Sequence, residues 1–297
     1  MSPGEGRRVA VIINPSAGGG RAGRSLSAVE EALTAHGFAY HVEPTRSLEH
    51  AVELALKATE DHEIAAACGG DGLVGAVAGA LRHSDGMLGV LPGGRGNDLA
   101  RVLRIPSDPA GAVGVLASGV VRSLDLGEIH GRTFVGIASC GFDSEANRIA
   151  NQARVVRGNL VYAYGALRAL AAWKPASFSV ALDGGEPCII TGYTIAAANS
   201  RAYGGGMFLA PGASLEDGLL DVVMVEDVSK RRFLRLLPTV FKGEHVHQPT
   251  VHVQQAATVE IAADRSFTMY ADGDPIAELP VTVRALPAAV RVITPSS

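Results

Sequence analysis

The stretch ACGGDGLVGAVAGAL, residues 67–81, holds Asp71 in a glycine turn between a small apolar run and an alanine-rich helical pattern. Two more stretches have a similar placing. NPSAGGG (14–20) follows the first apolar run and precedes a helical pattern, and LPGGRGNDLAR (91–101) leads Gly93, Gly94 and Gly96 into Asn97 and Asp98 at a helix start. A glycine-rich strand-to-helix turn can direct its backbone N–H groups and the positive helix end at a phosphate. The same glycines also serve as plain tight connections, and Asp98 is equally at home as a first-turn residue favoured by the helix dipole. Repetition weighs toward a ligand, because such turns share one carboxyl edge of a parallel sheet, where the ligands of open α/β sheets collect.

The elements that must position these turns are legible as a change of period. Up to about residue 125, short apolar runs alternate with helical patterns: VAVIIN, 25–35, AYHVEPT, 48–59, EIAAAC, 73–81, LGVLP, 97–103. That rhythm predicts a parallel sheet covered by helices. Beyond it the texture becomes strands and hairpin turns, as in ASFSVALDGGEPCIITGYTIAAAN, LLDVVMVED, ATVEIAAD, SFTMYADGD and PVTVRAL. Two helical insertions interrupt this half, at about 144–173 and 229–242. The reading is an α/β domain over 1–125 and a mostly antiparallel β domain over 126–286, divided near 123–126 by the change of period alone.

At 297 residues the chain is long for one small core, and 47% hydrophobic with 19% charged residues it carries no disorder signature. A formal net charge of −4 gives no global case for nucleic acid as a partner. Cys68, Cys140 and Cys188 are scattered, odd in number and without a CxxC, which disfavours a disulfide framework and a zinc site and points to a reducing, cytoplasmic setting. The run VAVII is too short for a signal peptide, and LVYAYGALRALAAWK (160–174) carries Arg168 and falls short of the roughly 20 residues a membrane span requires.

In order and spacing, NPSAGGG, GGDG, PGGRGNDLAR, NSRAYGGGMFLAPGASLEDGLLDV and YADGDP resemble the diacylglycerol kinase catalytic-domain family, specifically its small bacterial lipid kinases. The resemblance covers nearly the whole chain. It implies a nucleotide-binding domain related to NAD kinases and phosphofructokinases, a β-sandwich-like second domain, and phosphate transfer from ATP, with magnesium, to a lipid hydroxyl in the cleft between them. It also implies that a final strand within 287–297, AVRVITP, returns to the first domain. The nucleotide would lie against Asn14, Pro15, Ser16, Ala17, Gly18, Thr45, Gly69, Gly70, Asp71, Gly72, Leu73 and Gly75, joined by Arg95, Gly96 and Asn97. A carboxylate such as Asp71 beside a triphosphate is repelled unless a cation lies between them, so metal is implied. A second, structural magnesium site would take the Asp217 side chain and the carbonyls of Ser214 and Leu219, although a bare Asp-Gly turn explains that loop as well.

Three positions depart from the family's pattern. Asp274 stands where the family has the glutamate that takes the proton from the lipid hydroxyl, with Asp71 and Asp98 as the other candidate catalytic carboxylates. Leu73 and Arg95 each replace a threonine; Arg95 could itself pair with phosphate as a donor fork. In SKRRFLRLLPTVFKGEHVH (229–247) five Lys and Arg stand among apolar residues, with Pro238 as an interruption. A basic amphipathic helix of this kind can lie on an anionic bilayer, which would make the protein peripheral at the inner membrane face, or simply pack its stripe on the β domain. His245, His247 and His252 form no convincing ligand cluster. An oligomer is left open. The other readings are a nucleotide- or lipid-binding protein of kinase descent, and an NAD kinase, which the absence of an Asn-Glu pair disfavours.

Overall fold

The computed structural model describes residues 6–152 and 160–296. Strands β1 (Arg8–Ile13), β2 (Ala39–Pro44), β3 (Ile64–Gly69) and β4 (Met87–Pro92) pair in parallel in the order β2-β1-β3-β4. β3 is buried throughout and β1 from its second residue on, as strands covered on both faces must be. Helices α1 (Ala17–Ala35), α2 (Leu48–Glu60), α3 (Asp71–Ala80), α4 (Asp98–Val102) and α5 (Pro109–Ser118) connect and cover them. α1 begins before the expected residue 25, but Gly18, Gly19 and Gly20 inside it are left-handed, so regular helix starts at Arg21. α5 was not expected, although Asp108 caps it by accepting from Gly111 N at 2.8 Å and Pro109 occupies its first turn.

The second half runs β5 (Val120–Ile129), β6 (Arg132–Phe134), β7 (Ile137–Gly141), α6 (Phe142–Gln152), α7 (Leu160–Ala172), β8 (Ala176–Leu182), β9 (Cys188–Ala198), β10 (Leu220–Glu226), α8 (Lys230–Leu236), β11 (Val251–Ala256), β12 (Thr258–Ala263), β13 (Thr268–Ala271), β14 (Asp274–Glu278) and β15 (Val281–Thr294). Its pairings are antiparallel, so the expected α/β plus β-sandwich-like class stands. The insertion expected at 144–173 is realised as α6 and α7, apart from 153–159, which fall outside the described residues. The long strand β15 joins the halves: Val281–Arg284 pair with β12, while Arg291 and Val292 lie parallel to β4. β5 runs antiparallel beside it through both halves, and their ladder breaks between Leu286 and Val290. At that break Asp125, buried in β5, accepts from Ala288 N and Gly218 N, both at 2.7 Å.

The expected 229–242 helix is shorter than its pattern. α8 ends at Leu236 and passes into 3-10 turns over Leu237–Lys242 and Glu244–His247. Pro238 is the cause, since it has no N–H for the helical ladder and its ring would collide with the carbonyl four residues back. The three cysteines are free, and among the described residues no helix is long and apolar enough to cross a membrane.

Candidate active site

The three glycine turns meet at the carboxyl edge of β1, β3 and β4. Gly18, at φ +62°, lies so close to the β4 turn that an added Cβ would stand 2.5 Å from Gly93 O. Gly93 N donates to Gly69 O at 2.8 Å, and a Cβ on Gly94 would overlap Gly70 Cα. Only glycine permits this close approach of backbone to backbone. Asn14 N donates to Cys68 O at 3.2 Å, its Oδ1 accepts from Ser16 N at 3.1 Å, and Thr45 N donates to Ile13 O at 2.7 Å. Pro15 and Ser16 are exposed at the tip of the first turn, and Ala17 is half-buried beside them.

Asp71 binds the third turn to the second. Its Oδ2 accepts from Asn97 N at 2.8 Å and its Oδ1 from Asp98 N at 2.6 Å. The carboxylate thus caps the start of α4, with the charge placed where the helix dipole favours it. Asn97, left-handed at φ +52°, closes the same loop: its Oδ1 accepts from Gly94 N at 2.8 Å and its Nδ2 donates to Gly94 O at 3.2 Å. A Cβ on Gly96 would stand 2.7 Å from Asp71 Oδ2, so here the glycine makes room for a carboxylate.

The β half supplies the opposite wall. Asp98 accepts from Gly205 N at 2.9 and 3.1 Å through its two oxygens, across 107 residues of chain. Asp272 accepts from Val135 N and Gly136 N at 2.8 Å and from Ile137 N at 3.3 Å, which fixes the β13–β14 turn. A Cβ on Gly75 would lie 3.6 Å from Asp272 Oδ2, and one on Gly72 would lie 4.0 Å from Asp274 Oδ2. Asp71, Asp98, Asp272 and the exposed Asp274 therefore gather around the first turns of α3 and α4. Burial pushes the Asp98 carboxyl above its ordinary range, and the nearby Asp71 charge adds to it against the Gly205 bond. Burial likewise pushes Asp272 up to about 6; its backbone donors offset part of this and Asp71 adds to it.

Asp272 and Gly205 had no role in the sequence reading. Both lie within motifs quoted for their resemblance, YADGDP and AYGGG, but nothing local tells which of two aspartates in DGD turns inward. The departures also find places. Leu73 is buried and packs on Gly69, whose added Cβ would stand 2.7 Å from Leu73 Cδ2, so that position belongs to the core. Arg95 is exposed at the loop tip with no hydrogen bond or ion pair among the described residues.

Among the described residues no group of three or more His, Cys, Asp or Glu stands ready to hold a metal. Asp71, whose charge raises the proton affinity of Asp98 and of Asp272, nevertheless brings carboxylate oxygens near theirs, and Mg2+ is ordinarily held by one or two carboxylates together with substrate phosphates. Ser214, Asp217 and Leu219 share a separate turn. Leu219 N donates to Asp217 Oδ1 at 3.1 Å, and Gln255 Nε2 lies between Asp217 Oδ2 at 3.5 Å and Asp221 Oδ1 at 2.9 Å.

Glycine turns on a parallel sheet edge, faced by carboxylates from a β-sandwich-like half, form one site between two halves of the chain, and the comparisons with known proteins give that arrangement a family. Residues 8–129 match the diacylglycerol kinase catalytic domain, and residues 136–294 match the YegS C-terminal NAD kinase beta sandwich-like domain. A diacylglycerol kinase of Mycobacterium tuberculosis (strain CDC 1551 / Oshkosh) is 38% identical over 234 residues, 76% of this chain and 75% of the relative. That of Bacillus subtilis (strain 168) is 27% identical, over 90% of each chain. A diacylglycerol kinase structure from Bacillus anthracis superposes with TM-score 0.74 at 18% identity, over 97% of this chain and 96% of the other. An NAD kinase from Archaeoglobus fulgidus in complex with ATP superposes with TM-score 0.53 at 14% identity, over 97% and 93%. The chain belongs to the diacylglycerol kinase catalytic-domain family and is an enzyme of that kinase class.

Proposed function

We propose that this kinase transfers the γ-phosphoryl group of ATP, with magnesium, to the hydroxyl of a lipid, diacylglycerol or a relative of it. The observation that carries the reading is the meeting of Asp71 and Asp98 with Asp272 and Asp274 at the edge formed by the glycine turns. The turns offer backbone N–H groups and two helix starts to phosphates, and Arg95 is free to pair with one. Magnesium, held by one or two of these carboxylates and the phosphates, would neutralise charge on the transferring group. Asp274 takes the proton of the lipid hydroxyl as its oxygen bonds to the γ-phosphorus and the bond from phosphorus to ADP breaks. Its exposure and its place opposite α3 suit that task, because its carboxylate lies toward the glycine-turn edge and makes no hydrogen bond or ion pair among the described residues. Asp272, beside it, holds the turn still.

The basic segment supports peripheral contact with an anionic membrane. Arg231, Arg232, Arg235 and Lys242 are exposed and without ion pairs among the described residues, beside Leu234 and Phe241 at 45% and 55% exposure. Phe233 turns inward instead, stacked on Tyr193 at 4.1 Å, and Lys230 Nζ donates to Ala171 O at 2.8 Å. α8 is thus seated on the β half with its charges outward.

With Leu73 part of the core, only Arg95 and Asp274 remain as departures that a competing reading, a nucleotide- or lipid-binding protein of kinase descent, could rest on. Labelled ATP offered with diacylglycerol, a sphingoid base and a polyisoprenol separates the two. Magnesium-dependent label in a lipid product is the expected result; ATP binding with no labelled lipid in any arm would favour the binding protein.

A further inference from the structure

The basic segment after Ser229 and the nucleotide edge are joined by a strap of chain. The strap begins as a tight loop. Tyr203 N donates to Met207 O and Met207 N to Tyr203 O, both at 3.0 Å, which closes Gly204, Gly205 and Gly206 into a left-handed tip at φ +62°, +82° and +113°. This tip reaches across to the other half of the chain, where Gly205 N donates to both oxygens of Asp98, at 2.9 and 3.1 Å. A Cβ on Gly206 would stand 3.7 Å from the Arg101 guanidinium carbon, and Arg101 Nη2 donates in turn to Gly96 O at 3.3 Å. One loop of the β half thus touches α4 and, through Arg101, the third glycine turn.

The next residues of the strap are fastened to the 3-10 turns that follow α8. Phe208 N donates to Val240 O at 2.9 Å. His245, buried at 3% exposure, donates through Nε2 to Leu209 O at 2.9 Å, since a carbonyl can only accept. A Cβ on Gly243 would stand 2.9 Å from Pro211 Cβ, so backbone and ring pack closely there. The same turns carry the exposed Phe241 and Lys242 and continue from Arg231, Arg232 and Arg235. No residue separates the fastened Phe208 from the closed loop at Met207.

A run of three glycines has more backbone freedom to lose than any other, and its bond to Asp98 is exposed, so this contact opens at low cost unless the strap is held. Whatever holds the 237–247 turns still also holds the loop, and a ligand meeting an ordered loop does not bear the ordering cost itself. We propose that docking of the 231–242 segment on an anionic membrane tightens the nucleotide site through this strap, with His245 as a positioning residue. The inference rests on the membrane-contact and ATP readings and adds the coupling between them. Two binding events that share one ordered element strengthen each other by the same factor.

That reciprocity is measurable without turnover. The full-length protein is titrated with a non-hydrolysable ATP analogue and magnesium, with and without phosphatidylglycerol–phosphatidylcholine vesicles free of diacylglycerol, and vesicle binding is measured with and without the analogue. Saturating vesicles should lower Kd for the analogue at least ~5-fold, and the analogue should lower Kd for vesicles by the same factor. His245→Leu removes the donor; it should bind vesicles alone like wild type and lose most of the coupling, while His245→Gln, which keeps an N–H, should retain part of it. Gly205→Ala, in open space but at φ +82°, should lose the coupling from the other end of the strap. Vesicle binding that leaves nucleotide affinity unchanged overturns the coupling, and full coupling in both His245→Leu and Gly205→Ala overturns the strap as its route. A wild type that binds the analogue but no anionic vesicle refutes the membrane-contact reading, and one that binds vesicles but no analogue refutes the ATP reading; either result takes the inference with it.

Discussion

Asp71→Asn tests whether the carboxylate is chiefly an organiser of the nucleotide edge. It accepts two successive backbone N–H groups, at 2.8 and 2.6 Å, and hydrogen bonds to a charged acceptor contribute about 1.5–3 kcal/mol each. The amide can accept one of them through its oxygen; its NH2 must face the other donor. One bond is lost and one N–H is left unpaired, a cost of about 2–4 kcal/mol. Relief of repulsion on Asp98 and Asp272 offsets part of this, since Asp71 raises the proton affinity of both. In a chain of this size roughly 2–4 °C is lost per kcal/mol, so Tm should fall by up to about 4–16 °C, less what that relief restores. The loop over 94–98 should loosen with it, and nucleotide affinity should drop at least ~10-fold, equivalent to 1.4 kcal/mol. Calorimetric titration with a non-hydrolysable ATP analogue, with and without magnesium, is the assay. Equal losses in the two conditions mark loop order, whereas a loss confined to magnesium marks a metal ligand. A folded variant with wild-type Tm and wild-type affinity in both conditions refutes the reasoning.

Asp274→Asn should bind Mg-ATP like wild type while turnover falls ~10² to 10⁴-fold, and Asp274→Glu should keep measurable activity; wild-type turnover in the Asn variant moves the base to Asp71 or Asp98. Replacing Arg231, Arg232 and Arg235 together by Gln should weaken co-sedimentation with anionic vesicles at low salt, by up to ~1 kcal/mol per charge, and unchanged co-sedimentation makes the segment structural only. Asp143 at the start of α6 is pushed up to about 6, chiefly by burial and despite hydrogen bonds from Ser139 and Thr194. Its folded pKa exceeds its unfolded one, so it destabilises the protein progressively as pH rises from about 4 to 6 and fully above that. Asp143→Asn should therefore gain on wild type across that window, by up to about 3 kcal/mol; a stability difference flat between pH 4 and 7 in paired denaturant melts would contradict this.

Neighbouring residues determined a good deal of this protein. The apolar runs that became β1, β3 and β4, the helical periods after them and the glycines between were legible because strand period, helix period and turn chemistry each depend on a few consecutive side chains. α5 was legible too, in the Asp108-Pro109 start, and was overlooked. The break at Pro238 followed from one ring. What the chain could not announce locally is which carboxylate meets which backbone. Asp71 reaches Asn97 and Asp98, Asp98 reaches Gly205, and Asp272 reaches Val135 and Gly136, over separations of 26, 27, 107, 137 and 136 residues. Those partners are set by strand order and by β15 running through both halves, and a hydrogen bond only about 3 Å long forms only after that topology has brought its ends together. GGDG and DGD foretold turns bearing carboxylates. Packing of the two halves decided that Asp71 and Asp272 are bound to backbone while the Asp274 carboxylate is left free beside the edge formed by the glycine turns.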